Sequence, residues 1–205
     1  MLVNMHSHKL PMNIKTKRLF LKEITWEDLE DIHAFHSIPE VDEYNTLGKP
    51  ENLDVTIGVI RGAIEDQESE ARKEIQWTIS LLQKDVFVGL CGMKISQDRF
   101  RMGEIYYKLA PEFWGKGYAT EVGKALIKFG FEEMNLHRID AGAHIENVAS
   151  IRVLEKIGMI REGQHRKILP IRGDWYDNYH YAIIETDPRP CNLNTPTPFY
   201  YLFSY

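Results

Sequence analysis

Cysteine is scarce in this sequence: only Cys91 and Cys191 occur in 205 residues. Cys91 sits in an apolar run and reads as a small core residue, whereas Cys191 lies in a stretch rich in proline and asparagine. Such a pair makes no disulfide framework, and clustered Cys/His at zinc-ligand spacing is absent. A reducing cytoplasm is the natural setting. Long apolar runs are also missing. None approaches ~18 residues, so no membrane-spanning helix is expected. Met1 to Met12 carries two histidines and one lysine without an apolar centre, and does not read as a signal peptide. An excess of positive charge is missing too: 25 Lys and Arg stand against 30 Asp and Glu, a formal net charge of -5. That argues against a chain built to coat nucleic acid and suits cationic partners such as amines. The eight histidines are scattered and show no metal-ligand pairing, so no metal is expected.

What is present is enough for one globular domain with a core, since 43% of the residues are hydrophobic. After a loose lead-in over residues 1–15, Leu19 and Leu21 alternate with polar neighbours and predict a strand. Trp26, Leu29, Ile32 and Phe35 form a helical stripe behind a capping box at Thr25 and Asp28, and Pro39 ends that helix. A second amphipathic helix covers Asn52 to Glu68, with Leu53, Ile57, Ile60 and Ile64 facing inward. Three strands follow: Ile75 to Leu81, the nearly continuous apolar run Val86 to Met93, and Glu104 to Leu109. A glycine-rich turn leads into a helix from about Thr120 to Met134. Arg138 to Ala143 is a short strand. Asn147 caps a helix that ends at Gly158, and Met159 to Arg166 pairs with Tyr176 to Ile184. Trp26, Trp77, Phe129 and Phe131 are expected in the core. Four prolines after Asp187 predict an irregular extension over 188–205. The order predicts an α/β domain, a mixed sheet with helices on both faces.

The informative segment is Trp114-Gly115-Lys116-Gly117-Tyr118-Ala119-Thr120, which follows a strand and opens a helix. Glycines let the backbone turn sharply and bring its N–H groups close to a ligand, and the helix N-terminus favours anions. The segment is neither a P-loop nor a dinucleotide fingerprint, because the required spacing is absent. A tight turn without a ligand explains the spacing equally well.

The turn resembles the acyl-CoA-binding turn of the GNAT superfamily of N-acetyltransferases, whose pattern reads Gln/Arg-x-x-Gly-x-Gly/Ala. Gly117 and Ala119 occupy the small positions, and Trp114 stands where Gln or Arg is usual. "PEFWGKGYATE", Pro111 to Glu121, resembles the ribosomal-protein N-terminal acetyltransferase branch in particular. "TKRLFLKEIT" (16–25), "GEIYYKLAPEFW" (103–114) and "ENVASIRVLEKIGMIREG" (146–163) are similar to that branch in the same order. The likeness covers about Thr16 to Asp187.

That resemblance implies a central, mostly antiparallel sheet whose fourth and fifth strands, Glu104–Leu109 and Arg138–Ala143, splay apart around acetyl-CoA. It implies a pantetheine arm hydrogen-bonded near Leu109 and Ala110, a pyrophosphate on amides of Gly115, Lys116, Gly117, Tyr118, Ala119 and Thr120, and Asn147 touching the arm from the other side. Trp114 belongs to the same turn. The reaction would be attack of a neutral primary amine on a thioester, which needs a proton acceptor and donors for the oxyanion. Glu104 is the candidate base and Ser150 the candidate acid. A solvated strand-end carboxylate and an ordinary helix-start hydroxyl explain the same two residues. Many superfamily members place a tyrosine acid where this chain has Leu154. His36 is a weaker neighbour of an acceptor pocket, which the resemblance places around Ile38 to Lys49 and Ile168 to Tyr179. Glu40, Asp42, Glu43 and Asp174 there suit a cation, as does any solvated face. The acceptor stays open between a protein N-terminus, a polyamine, an aminoglycoside or another small amine. A non-catalytic acyl-CoA sensor and a homo-oligomer stay open as well.

Overall fold

Alternating apolar and polar residues build the first half of the molecule as an antiparallel meander. In the computed structural model, which describes residues 12–96 and 99–188, β1 (Ile14–Lys15), β2 (Leu19–Glu23), β3 (Glu74–Leu81), β4 (Phe87–Ile95) and β5 (Met102–Leu109) pair in sequence order. Ile75, Trp77 and Ile79 of β3 are fully covered, and β4 is buried from Val88 through Met93, as expected for a strand packed on both faces. β6 (Arg138–His144) joins β5 in parallel, and β8 (Asp174–Ile184) joins β6 antiparallel. β7 (Ile160–Ile171) forms the outer edge, giving the order β1-β2-β3-β4-β5-β6-β8-β7. This is the mixed, mostly antiparallel α/β sheet that the sequence predicts. It has one strand more than expected, because the two residues of β1 are too few to show an alternation.

The helices are α1 (Leu29–His36), α2 (Pro39–Asp42), α3 (Leu53–Glu65), α4 (Tyr118–Glu132) and α5 (Val148–Lys156). They cover both faces. Phe129 of α4 meets Trp77 edge-on at 5.4 Å between ring centroids, and Phe35 of α1 meets Phe87 at 5.5 Å. Register places Trp77, Cys91 and Tyr107 side by side, so odd-numbered residues of β3 to β5 face α4 and even-numbered ones face the other side, except beyond the register shift at Ile79 and Ser80, where Phe87 turns to α1.

Three expectations need correction. Trp26 is 45% exposed, because it opens a 3-10 turn, Trp26–Asp28, whose tighter winding carries it off the stripe of Ile32 and Phe35. Leu53 is 40% exposed, since the buried face of α3 is centred on Thr56, Ile60 and Ala63. Thr56 is tolerated there because its hydroxyl bonds His33 Nδ1 at 2.8 Å. Finally, α4 starts two residues early, at Tyr118, directly after left-handed Gly117. Other signals hold. The Asp28 carboxylate accepts from the Thr25 N–H (2.7 Å) and hydroxyl (3.0 Å), and Gly158 ends α5 at φ 93°. Among the described residues no helix is long and apolar enough to cross a membrane. Cys191 and the extension beyond Pro188 lie outside the described residues, as does the lead-in before Met12.

Candidate functional site

A gap opens in the middle of the sheet. β5 and β6 pair only at Met102↔Arg138, Gly103↔Ile139 and Glu104↔Asp140. Beyond that fork β5 continues to Leu109 along β4, while β6 continues to His144 along β8. The Ala110 N–H donates to the Val88 carbonyl at 2.9 Å, on the β4 side. Backbone alternation therefore turns the N–H groups of Leu109 and Tyr107 toward the gap. A parallel pair that parts in this way leaves ladder groups open to a ligand.

At the wide end of the gap stands the glycine turn. Gly115 and Gly117 both have left-handed backbones (φ 71° and 77°), which a side chain strains. The turn runs straight into α4, so the free N–H groups of that helix's first turn lie within it. The Trp114 indole donates to the Leu109 carbonyl at 2.7 Å and ties the turn to the strand. Of the backbone near Leu109 and Ala110 where the pantetheine arm is expected, this bond occupies the Leu109 carbonyl and Val88 takes the Ala110 N–H, which leaves the Leu109 N–H. Arg18, from the segment before β2, holds the turn from outside. Its Nη1 donates to the Lys116 carbonyl at 3.0 Å, its Nε donates to Glu121 Oε2 at 2.6 Å, and its guanidinium lies 4.4 Å over the Tyr118 ring. Burial pushes the Glu121 carboxyl up, but hydrogen bonds from Thr16 and Arg18 outweigh it and hold the group below the usual range. Trp114, Gly115, Lys116 and Gly117 are exposed, while Tyr118, Ala119 and Thr120 are half-buried.

On the α4 side, Asn147 caps α5 by accepting the Ser150 N–H at 3.0 Å. Its amide NH2 is thereby aimed away from the cap. The Ser150 hydroxyl lies 3.3 Å from the Tyr107 hydroxyl, a long contact that spans from β5 to α5. Burial pushes the Tyr107 phenol up to about 12, against a small opposing effect of Ser150. The phenol stays protonated and can donate. Leu154 is buried in the core, so no hydroxyl stands at that position.

On the opposite face, Glu104 is exposed at the fork itself, beside Asp140 and Lys94 in register. Toward the open end the same face carries Lys108, whose Nζ donates to Asn45 Oδ1 at 2.9 Å. Burial lowers the Lys108 ammonium to about 8, with Asp42 opposing. Tyr44, next to Asn45, packs its ring 4.9 Å from His144 of β6, and Tyr176 of β8 lies 5.0 Å from the same imidazole. Residues 42–45 thus bridge the gap from β5 to β6. His36 is buried nearby, its pKa lowered to about 4 by burial and by the charges of Lys108 and His33.

Along the chain the expected residues lie about the fork: Glu104 where β5 and β6 still pair, Leu109 and Ala110 at the end of β5, the glycine turn before α4, and Asn147 and Ser150 at the start of α5. Sequence reading missed Tyr107 as a polar group, and it missed Lys108, Asn45 and the Arg18 clamp. A tyrosine in a row of aliphatic residues was the available signal, because a buried phenol needs a partner. Among the described residues no three metal-binding side chains cluster.

Comparison with known proteins agrees with this geometry. Residues 18–160 match the acetyltransferase (GNAT) domain family. An uncharacterized N-acetyltransferase of Bacillus subtilis, YnaD, is 32% identical over 178 residues, covering 86% of this chain and 99% of that one. A GNAT-family acetyltransferase structure from Bacillus anthracis is 33% identical with a TM-score of 0.73, over 84% of this chain and 98% of its own. A spermidine N-acetyltransferase structure from Vibrio cholerae, in complex with CoA and spermine, shares the fold at 22% identity and a TM-score of 0.73, over 84% of this chain and 98% of its own. This chain belongs to the GNAT family of acetyltransferases and is an N-acetyltransferase.

Proposed function

We propose that the chain moves the acetyl group of acetyl-CoA onto a primary amine, an α-amine such as a protein N-terminus, with the fork between β5 and β6 as the reaction centre. The observation that carries this reading is the juxtaposition of an unpaired strand edge with a left-handed glycine turn at a helix N-terminus. The first suits the amide-rich arm of the cofactor. The second suits its pyrophosphate, because free N–H groups and the helix dipole favour an anion there. The Leu109 N–H and the Asn147 amide hold the arm from two sides, and Lys116 adds an exposed cation at the phosphate end.

The chain's own groups then cover the steps. An acceptor ammonium must lose a proton before it attacks. Glu104 receives that proton, directly or through a water. The Tyr107 N–H faces the gap and donates to the oxygen that gains charge in the tetrahedral state. The departing thiolate meets the Ser150 hydroxyl, itself held beside the Tyr107 phenol. With ordinary thiol acidity, that sulfur needs a hydrogen bond more than a full proton. No covalent enzyme intermediate is required, and much of the acceleration comes from placing two bound reactants together, worth roughly 7–11 kcal/mol.

A small polycationic amine is the second reading. Tyr44 and Tyr176 offer aromatic faces, Glu43 and Glu146 lie against Tyr44, and this rim suits a cation. An acceptor screen decides between them: CoA thiol release is followed with N-terminal peptides, polyamines and aminoglycosides. Turnover by a peptide above the polyamines supports the first reading, and the reverse supports the second. Tight acetyl-CoA binding with no turnover by any amine would replace both with a non-catalytic sensor.

A further inference from the structure

Three buried polar groups meet where residues 42–45 bridge the gap. Asp42 is 5% and Asn45 9% exposed, and among the described residues Asp42 Oδ1 and Asn45 Nδ2 have no hydrogen-bond partner. Buried polar atoms in native proteins are nearly always paired, and an orphan is costly to keep. The third group is the Lys108 ammonium, which spends one donor on Asn45 Oδ1. That bond, with the Leu47 N–H at 3.3 Å on the same oxygen, fixes which end of the Asn45 amide is oxygen. The orphan nitrogen is therefore a donor and the orphan carboxylate oxygen an acceptor. Asp42 and Asn45 lie one turn apart, joined by a 3.0 Å bond from the Asn45 N–H to the Asp42 carbonyl. Arg172, at the tip of the β7–β8 hairpin, pins the bridge by donating to the Asp42 carbonyl (3.1 Å), Asp42 Oδ2 (3.3 Å) and the Glu43 carbonyl (2.7 Å).

We propose that Asp42, Asn45 and Lys108 are specificity-determining residues that select an acceptor carrying a carbonyl or carboxylate oxygen next to its amine. Asp42 Oδ1 takes an N–H of the acceptor, while Asn45 Nδ2 and Lys108 Nζ take its oxygen. An α-amino carbonyl compound satisfies all three groups. A protonated diamine offers only donors: it leaves Asn45 Nδ2 without an acceptor and brings a second cation beside the buried Lys108 ammonium. A site built around a hydrogen bond rejects the analogue that cannot make it far more strongly than an apolar pocket rejects a missing methylene. Both orphan atoms are closed to solvent in this conformation, so entry of an acceptor requires the Arg172 bonds to Asp42 and Glu43 to open. The inference rests on the acetyl-transfer reading, and it deepens that reading by naming the residues that choose the acceptor.

The test compares an alanine-initiated dipeptide amide with putrescine at saturating acetyl-CoA, for the parent, Asn45→Leu and Lys108→Met. Melting temperature checks that each variant folds. The parent should favour the dipeptide amide in kcat/KM by about 100-fold or more. Each variant should raise KM for the dipeptide amide about tenfold or more, with kcat changed less and putrescine unaffected or improved. Binding of both compounds to the CoA-loaded protein, measured by calorimetry, should give the same ranking. That arm decides the selectivity even if no amine is acetylated, a result that would sink only the acetyl-transfer reading. A parent that prefers putrescine, or variants that weaken both acceptors equally, overturns the proposal.

Discussion

Acidification should destabilise this fold through His36 well before general acid denaturation. The imidazole is 7% exposed at the end of α1, and burial, aided by the charges of Lys108 and His33, lowers its pKa from 6.5 to about 4. An unfolded chain takes up a proton near the ordinary value, whereas the folded chain resists until about pH 4. Between those values the unfolded state binds more protons, so stability falls as pH falls. Above pH 6.5 nothing is lost. A shift of that size corresponds to about 3 kcal/mol once fully developed, of which roughly 2 kcal/mol should be gone at pH 5. The assay is urea unfolding followed by tryptophan fluorescence at pH 7.5 and pH 5, for the parent and for His36→Gln. Carboxylates titrate in both proteins, so the difference between the two pH slopes isolates His36. The variant should lose about 1–3 kcal/mol less than the parent on going to pH 5. Equal slopes would mean that the imidazole ionises freely in the folded state, and the packing argument for that corner would fail.

Gly117→Asp and Gly117→Asn both accept a left-handed backbone tolerably, so their comparison isolates charge. The Asp variant should weaken acetyl-CoA binding by about 100-fold and the Asn variant by about tenfold or less; equal affinities in calorimetry would remove the phosphate from this turn. Glu104→Gln should lower kcat by roughly 10²–10⁴-fold with little change in cofactor affinity. A near-parental kcat would move the proton to another carboxylate or to bulk water. Ser150→Ala and Tyr107→Phe should each lower kcat at constant acetyl-CoA affinity if their hydroxyls meet the departing sulfur. A preserved kcat with stability reduced by about 1 kcal/mol or less would leave Ser150 as a helix-start residue only.

Signals local in sequence were legible without a structure. Ile75, Trp77 and Ile79 announced a strand by alternation, and Asn147 and Gly158 announced the two ends of α5. The paired glycines before α4 announced a sharp turn, and both take left-handed backbones that few other residues accept. Trp26 and Leu53 misled for the complementary reason. Helical periodicity says which residues share a stripe, but not where a 3-10 turn shifts the winding or how far the helix rolls against the sheet.

The sequence by itself determined the order of elements and the glycine turn, since each depends on residues a few positions apart. Tertiary structure alone decided which groups face one another across the gap. Lys108 meets Asn45 over 63 residues, Tyr107 meets Ser150 over 43, and Arg18 meets Glu121 over 103. No periodicity encodes such distances. The parting of β5 from β6 after Glu104 is also a long-range event, in which each strand follows its antiparallel neighbour. Only that parting turns a strand edge, normally satisfied within the sheet, into a surface with unspent hydrogen bonds.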